Sequence, residues 1–262
     1  MENQKIKQYE EIEFWDTDYE ELQDDEHVLH MWTPLCFEAT EDYQFVPKSN
    51  FFKIVSFGIL FAIYPLLCVF HKVMYGVKIE GKENLKKIKG AKITVSNHIH
   101  PMDCTINAMA NFPNKMYFPT LEENFQIPII RDVIKLLNAI PIPNNIKAKK
   151  QFMKAVEELL QKGKTIHIYP EAAMRPYCKR LRNFKKGAFE FAVEQNVPII
   201  PFVYTFDKPV KIYRYFKKKP LIHLTILEPI YPTKEKTKGE SVLKMRQQVY
   251  EKMKEKIQNV KD

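Results

Sequence analysis

The chain has little glycine, 7 residues in 262, and no glycine-rich turn of the kind that cradles phosphate on bare backbone. A nucleotide loop is therefore not expected. Its four cysteines, Cys36, Cys68, Cys104 and Cys178, are scattered and form no CxxC pair. That spacing fits neither a disulfide framework nor a cysteine zinc site, and reads as free thiols of a reducing compartment. A GxSxG nucleophile elbow is missing, as are helix-turn-helix and ribonucleoprotein motifs, internal repeats and low-complexity tracts. No nucleic-acid partner is expected.

What is present is unevenly distributed. Residues 1–42 hold 14 acidic side chains against only Lys5 and Lys7, so the rest of the chain is far more basic than the net charge of +9 suggests. A body so basic favours a polyanionic neighbour, and with nucleic acid set aside an anionic membrane surface is the natural one. Residues 1–50 read as an acidic, aromatic N-terminal arm that contains both tryptophans, Trp15 and Trp32. Interleaved aromatics give such an arm something to bury, and it is expected to dock on the basic body.

Residues 51–74 form a hydrophobic, membrane-associating segment, uncharged from Ile54 to Phe70. As a helix that uncharged run reaches about 25 Å, the lower limit for a hydrocarbon core of roughly 30 Å. Pro65 is expected to kink or interrupt it, and Lys48, Lys53, His71 and Lys72 are expected at its rims. A buried core helix is the competing reading, and the composition leaves open whether the segment spans the bilayer or lies in its surface.

From residue 75 to 262 strand-like and helix-like stretches alternate, which predicts an α/β domain with a mostly parallel sheet flanked by helices. Strands are expected at 75–80, 91–97, 115–119, 164–170, 197–204 and 221–230. Helices are expected at 103–111, 131–138, 145–163 with Asn145 and Gly163 as caps, 185–195 and 241–259.

Chemistry concentrates in SNHIHPMDC, residues 96–104, directly behind the apolar run Ile93-Thr94-Val95. A strand, a polar turn and then a helix place such residues at the carboxyl edge of a parallel sheet. His98 and His100 supply the HxH of a metal-hydrolase pattern. Asp103 then falls one position late and no histidine follows it; the remaining five histidines are His27 and His30 in the arm, His71, and His167 and His223 in strand interiors. A zinc site needs three well-placed protein ligands, so no metal site is assigned. Cys104 lacks any sign of activation and reads as a packing residue. The third option is a dyad: five positions across a proline-containing turn let Asp103 accept from one ring nitrogen of His98, freeing the other as a general base. Taken alone, HxxxxD does not separate that dyad from a satisfied histidine beside a helix cap.

Its neighbours add to it. With SNHIHPMD after one strand, YPEAAMRPY (169–177) after a later one and VPIIPFVY (197–204) beyond that, residues 75 to about 230 resemble the glycerolipid acyltransferases of the 1-acylglycerol-3-phosphate acyltransferase family, with the family's four blocks in order. The resemblance implies an α/β domain on the membrane surface, anchored by a hydrophobic N-terminal helix on the cytoplasmic face, peripheral, monotopic or single-pass. It implies His98 as general base, Asp103 as its orienting partner, and Glu171 as an acceptor-binding residue. The reaction implied is acyl transfer from acyl-CoA or acyl-carrier protein to the hydroxyl of a membrane lipid, with no cofactor. Two blocks depart from the pattern. PEAAMR has Ala172 where the family has glycine and Arg175 one position late, and Asn144 stands where the second block ends in a phosphate-binding arginine. Arg175 is expected to clamp an acceptor phosphate, with Lys186 and its neighbours in CKRLRNFKKG compensating at a helix amino end. The alternatives are a surface-exposed Arg175, lysines that serve only membrane attraction, a different lysolipid acceptor, a metal-dependent hydrolase, and a non-catalytic lipid-surface protein on the same scaffold.

Overall fold

The structure, a computed structural model, describes residues 35–259 apart from Lys48. Most of the acidic arm, with Trp15, Trp32, His27 and His30, lies outside the described residues, so the expected docking is visible only at its end. There Ala39 and Phe45 are buried, Phe37 stacks on Phe125 at 5.1 Å, and Phe45 meets Phe152 edge-on at 6.0 Å.

The alternating patterns fold into one seven-stranded sheet of β1 (Lys78–Glu80), β2 (Lys92–Ser96), β3 (Met116–Leu121), β4 (Ala139–Ile142), β5 (Thr165–Ile168), β6 (Ile199–Asp207) and β7 (Leu221–Ile226), in the order β1-β7-β6-β2-β5-β3-β4. Every pairing is parallel except β6 with β7. Strand β2 is buried along its whole length because β5 and β6 flank it and helices cover both faces. KITVS alternates polar with apolar residues, and its buried polar side chains are all bonded: Lys92 donates to the Ile88 and Gly90 carbonyls, and Thr94 and Ser96 meet His167.

Six of the seven α-helices among the described residues are α2 (Lys82–Lys86), α3 (Asp103–Asn111), α4 (Ile130–Leu136), α5 (Ile146–Gln161), α6 (Gly187–Glu194) and α7 (Lys238–Gln258). Asn145 caps α5 by accepting from Lys147 N at 2.8 Å, and Thr237 with Glu240 forms a reciprocal capping box on α7. Short α2, absent from the sequence expectation, starts behind Gly81. That residue has φ 78°, and a Cβ there would lie 2.1 Å from the Ile226 carbonyl oxygen, so only glycine fits.

The first helix, α1, runs unbroken from Asn50 to Tyr75 with Pro65 inside it, longer than expected and without the expected interruption. Its stretch Lys53–Tyr75 is long and apolar enough to cross a membrane, and only 11% of that window is buried. Phe51, Ile54, Phe61, Leu66 and Val69 are exposed to between 60% and 77%, which argues against a soluble core helix. His71, expected at a membrane rim, is instead fully buried, its Nε2 2.8 Å from Thr105 Oγ1 on α3. Ring stacking of Tyr64 on Phe112 at 3.8 Å adds a second tie between α1 and the end of α3.

Candidate active site

Strand β2 delivers Asn97 and His98 to the carboxyl edge of the sheet, and α3 begins five residues later with Asp103. Asn97 fixes the exit by a reciprocal pair with Tyr204 on β6, its amide donating to Tyr204 O at 3.0 Å and accepting from Tyr204 N at 2.8 Å. The turn then folds so that Asp103 Oδ2 accepts three hydrogen bonds, from His98 Nδ1 at 2.8 Å, Ile99 N at 2.9 Å and His100 N at 3.1 Å. Asp103 is fully buried, whereas the His98 side chain is 22% exposed. An ionised carboxylate in that cradle is an acceptor only, so Nδ1 of His98 carries the hydrogen and Nε2 carries the lone pair.

Tyr169, from the loop after β5, lies flat against the His98 ring with centroids 3.9 Å apart and planes 18° off parallel. Beneath it is a buried polar network. His167 Nδ1 lies 2.8 Å from Thr94 Oγ1, Asn107 donates to His167 Nε2 at 3.0 Å and to the Tyr169 hydroxyl at 3.3 Å, and the Tyr204 hydroxyl donates to Asn107 Oδ1 at 2.7 Å. Burial, with the nearby His98 as a lesser cause, pushes the His167 pKa down to about 3, so its ring is neutral. Burial raises both tyrosines well above the ordinary phenol range. The network is therefore a neutral, hydrogen-bonded floor under the dyad.

The His100 ring is engaged away from the His98–Asp103 bond. Its Nδ1 accepts from Met102 N at 3.1 Å, its ring packs between Tyr75 and Tyr177, and burial lowers its pKa although Asp103 pulls the other way. Among the described residues no group of three histidine, cysteine or carboxylate side chains converges as a metal site. Burial, then the Asp103 charge, pushes the Cys104 thiol up to about 11, which keeps it protonated and un-nucleophilic.

Glu171, expected as an acceptor-binding residue, is bonded within the protein. Its carboxylate is 1% exposed and accepts from His98 N at 3.1 Å, Arg182 N at 2.9 Å and Arg182 Nη2 at 2.7 Å. It ties the His98–Asp103 turn to the 178–186 loop. The same loops are stitched by Arg175 N donating to His98 O at 3.0 Å, Tyr177 N to Ile99 O at 2.9 Å and Lys185 N to Pro170 O at 2.7 Å. Arg175 is itself 1% exposed, so it is not a surface charge. Ala172 has φ 66°, the left-handed backbone that favours glycine.

The other two expected binding residues do not meet the dyad. Asn144 is exposed at the end of β4, three strands from β2, about 14 Å away at ordinary strand spacing. Lys186 lines a cleft between α6 and α7 with Glu190, Lys238 and Val242. Sequence reading did not single out Asn107, Tyr204 or Arg182, and met Tyr169 only as the first residue of the YPEAAMRPY block. Only Tyr169 carried a usable signal, by standing next to Pro170-Glu171.

Beside α3 a narrow apolar cleft, open to solvent, runs between α1 and the sheet. It is lined by Phe57, Leu60, Tyr64 and Leu67 from α1, and by Cys104, Ala108 and Phe112 from α3, so it begins one residue from Asp103. Its apolar lining suits a hydrocarbon chain.

A family model described as Acyltransferase matches residues 76–205. The chain is 31% identical over 128 residues to a chloroplastic 1-acyl-sn-glycerol-3-phosphate acyltransferase of Arabidopsis thaliana, an alignment covering 48% of this chain and 35% of that protein. It is 30% identical over 213 residues to the 1-acyl-sn-glycerol-3-phosphate acyltransferase of Saccharomyces cerevisiae, covering 72% of this chain and 64% of that one. It thus spans about a third of the plant relative's length and under two thirds of the yeast one's. The crystal structure of the 1-acyl-sn-glycerophosphate acyltransferase of Thermotoga maritima superposes with a TM-score of 0.55 at 23% identity, over 81% of this chain and 88% of that one, a likeness of fold.

Proposed function

Because the chain belongs to the acyltransferase family, and the plant and yeast members it matches are 1-acylglycerol-3-phosphate acyltransferases, we propose that it moves a fatty acyl group from an acyl thioester to the free hydroxyl of a membrane glycerolipid. The acceptor we assign is 1-acylglycerol-3-phosphate and the product phosphatidic acid, in phospholipid biosynthesis. The donor is acyl-CoA or acyl-carrier protein, and the enzyme works from the cytoplasmic face.

The observation that carries this reading is the 2.8 Å bond from His98 Nδ1 to Asp103 Oδ2, in a turn that leaves His98 Nε2 as the base. Nε2 removes the acceptor hydroxyl proton as the oxygen attacks the thioester carbonyl. The tetrahedral intermediate expels the thiolate, which recovers the proton from Nε2. General-base assistance of this kind contributes on the order of 100- to 10,000-fold. The imidazolium that forms in between is held by the Asp103 charge and by the face of the Tyr169 ring. No acyl-enzyme forms, in keeping with a Cys104 thiol that stays protonated.

The apolar cleft next to Asp103 holds the acyl chain, and α1, which forms one of its walls, brings that wall to the lipid. Arg175, buried beside the His98–Asp103 turn and tied to it by its backbone N–H bond to the His98 carbonyl, is the cation we assign to the acceptor phosphate. The test is release of thiol from an acyl thioester in the presence of 1-acylglycerol-3-phosphate, with the lipid product read by mass spectrometry. His98→Ala is expected to lose at least 100-fold in kcat. Folded His98→Ala protein that turns over at a near-normal rate would sink the mechanism, and a wild-type preference for a phosphate-free acceptor would sink the assigned substrate.

A further inference from the structure

We infer that the β6–β7 loop is a second membrane-contact element, an interfacial collar of aromatic and basic side chains that meets an anionic bilayer surface beside the carboxyl end of α1. Residues 208–219, KPVKIYRYFKKK, contain five lysines and one arginine and no acid. The short helical turn at Lys211–Tyr215 has no buried residue. Ile212 is 67% exposed, Tyr215 88% and Phe216 57%. Large apolar groups held in water at that level, interleaved with cations, match the composition of an interfacial segment: rings and aliphatics at the headgroup boundary, ammonium and guanidinium groups among the phosphates.

Two hydrogen bonds join this loop to the exposed face of α1. The Tyr213 hydroxyl donates to the Lys72 carbonyl and the Lys217 ammonium donates to the Met74 carbonyl. The Lys217 ammonium also lies 5.5 Å from the centre of the Tyr75 ring. The collar is therefore continuous with the apolar helix at its last turn. That last turn also reaches the catalytic turn, through His71 to Thr105 and Tyr75 to His100. Fixing the depth of the loop in the bilayer surface consequently fixes His98 at the height of the headgroups, where a lysolipid presents its hydroxyl. The surface assignment rests on α1 associating with membrane, and it does not depend on the chemistry of the dyad.

The experiment places single tryptophans in the full chain after Trp15→Phe and Trp32→Phe. Tyr215→Trp reports on the loop, and Leu243→Trp reports on α7, where residue 243 is 48% exposed and the helix packs on α6 and β6. Protein is mixed with vesicles of phosphatidylcholine and phosphatidylglycerol carrying brominated acyl chains, and binding is followed separately by sedimentation. The expected result is a blue shift and quenching at position 215, with position 243 unaffected. A joint change of Lys211, Arg214 and Lys218 to glutamate is expected to weaken binding to phosphatidylglycerol-containing vesicles by on the order of tenfold or more, with little change on phosphatidylcholine alone. If sedimentation shows bound protein while position 215 stays unquenched, or if 215 and 243 are quenched alike, the loop is not the contact. A blue shift at 215 elicited by acyl-carrier protein, and none by vesicles, gives the loop to a protein donor and overturns the assignment.

Discussion

The Glu171 carboxylate and the Arg182 guanidinium meet at 2.7 Å with their side chains 2% and 0% exposed, and the same carboxylate accepts the backbone N–H of His98. A buried pair is expensive to break from one side, at about 3–5 kcal/mol, because the surviving charge has no water to return to. Arg182→Met is accordingly expected to lower stability by about that amount. Replacing both, with Glu171→Leu and Arg182→Met, restores most of it, since an apolar pair of similar volume costs little. The double variant still lacks the tether on His98, and kcat is expected at least tenfold down with KM less affected. Full activity in a stable double variant would show that the pair holds only the fold.

Acid should unfold the protein early. A histidine held near pKa 3 in the native state stays neutral there while the unfolded chain, near 6.5, takes up a proton, so His167 removes stability as pH falls from about 6.5 toward 3. Between pH 7 and pH 5 the loss is on the order of 2 kcal/mol from this residue, and His100, also lowered, adds to it. Urea midpoints across that range measure the slope. His167→Gln, which keeps polar atoms in the network, is expected to flatten it, and an unchanged slope would acquit His167.

At Ala172 the backbone sits at φ 66°, where a Cβ costs roughly 1 kcal/mol. Ala172→Gly is expected to raise the melting temperature by a few degrees and leave kcat nearly unchanged. A fall in melting temperature would mean that the methyl group packs well enough to outweigh the strain.

Ala108 lines the apolar cleft on the face of α3 opposite α1. Filling it by Ala108→Phe is expected to shift acyl preference toward shorter chains in a competition among thioesters of graded length. An unaltered profile would place the acyl chain elsewhere.

Much of this architecture was legible in the chain. The KITVS strand, the Asn145 cap and the His98-to-Asp103 spacing are each set within a few residues, so local pattern suffices for them. The direction of β7 was not legible, because alternation in LIHLTI is the same whichever way the strand runs. Arg182 stood only as one of the cations of the CKRLRNFKKG stretch. Its burial depends on Glu171, and nothing within a few residues of Arg182 announces a partner eleven positions earlier. His167 looked like a strand interior, which it is, but its three partners come from β2 and α3, elements that meet only in the folded sheet. Pro65 misled through its usual effect on helices. In an exposed apolar helix its missing N–H leaves the run from Asn50 to Tyr75 intact.

The lone antiparallel step between β6 and β7 gives this sheet a freedom that a wholly parallel one lacks. In parallel pairings every chain leaving the catalytic edge must travel the length of a helix before it returns. Here β6 turns back directly, pairing Asp207 with Leu221, so the intervening loop is a hairpin end pinned at one register. Such an end can be lengthened, shortened or exchanged without shifting Ser96 against Phe202, and so without moving the turn that carries His98. A chimeric protein carrying another relative's loop between Asp207 and Leu221 should keep its chemistry and change the surface on which it performs it.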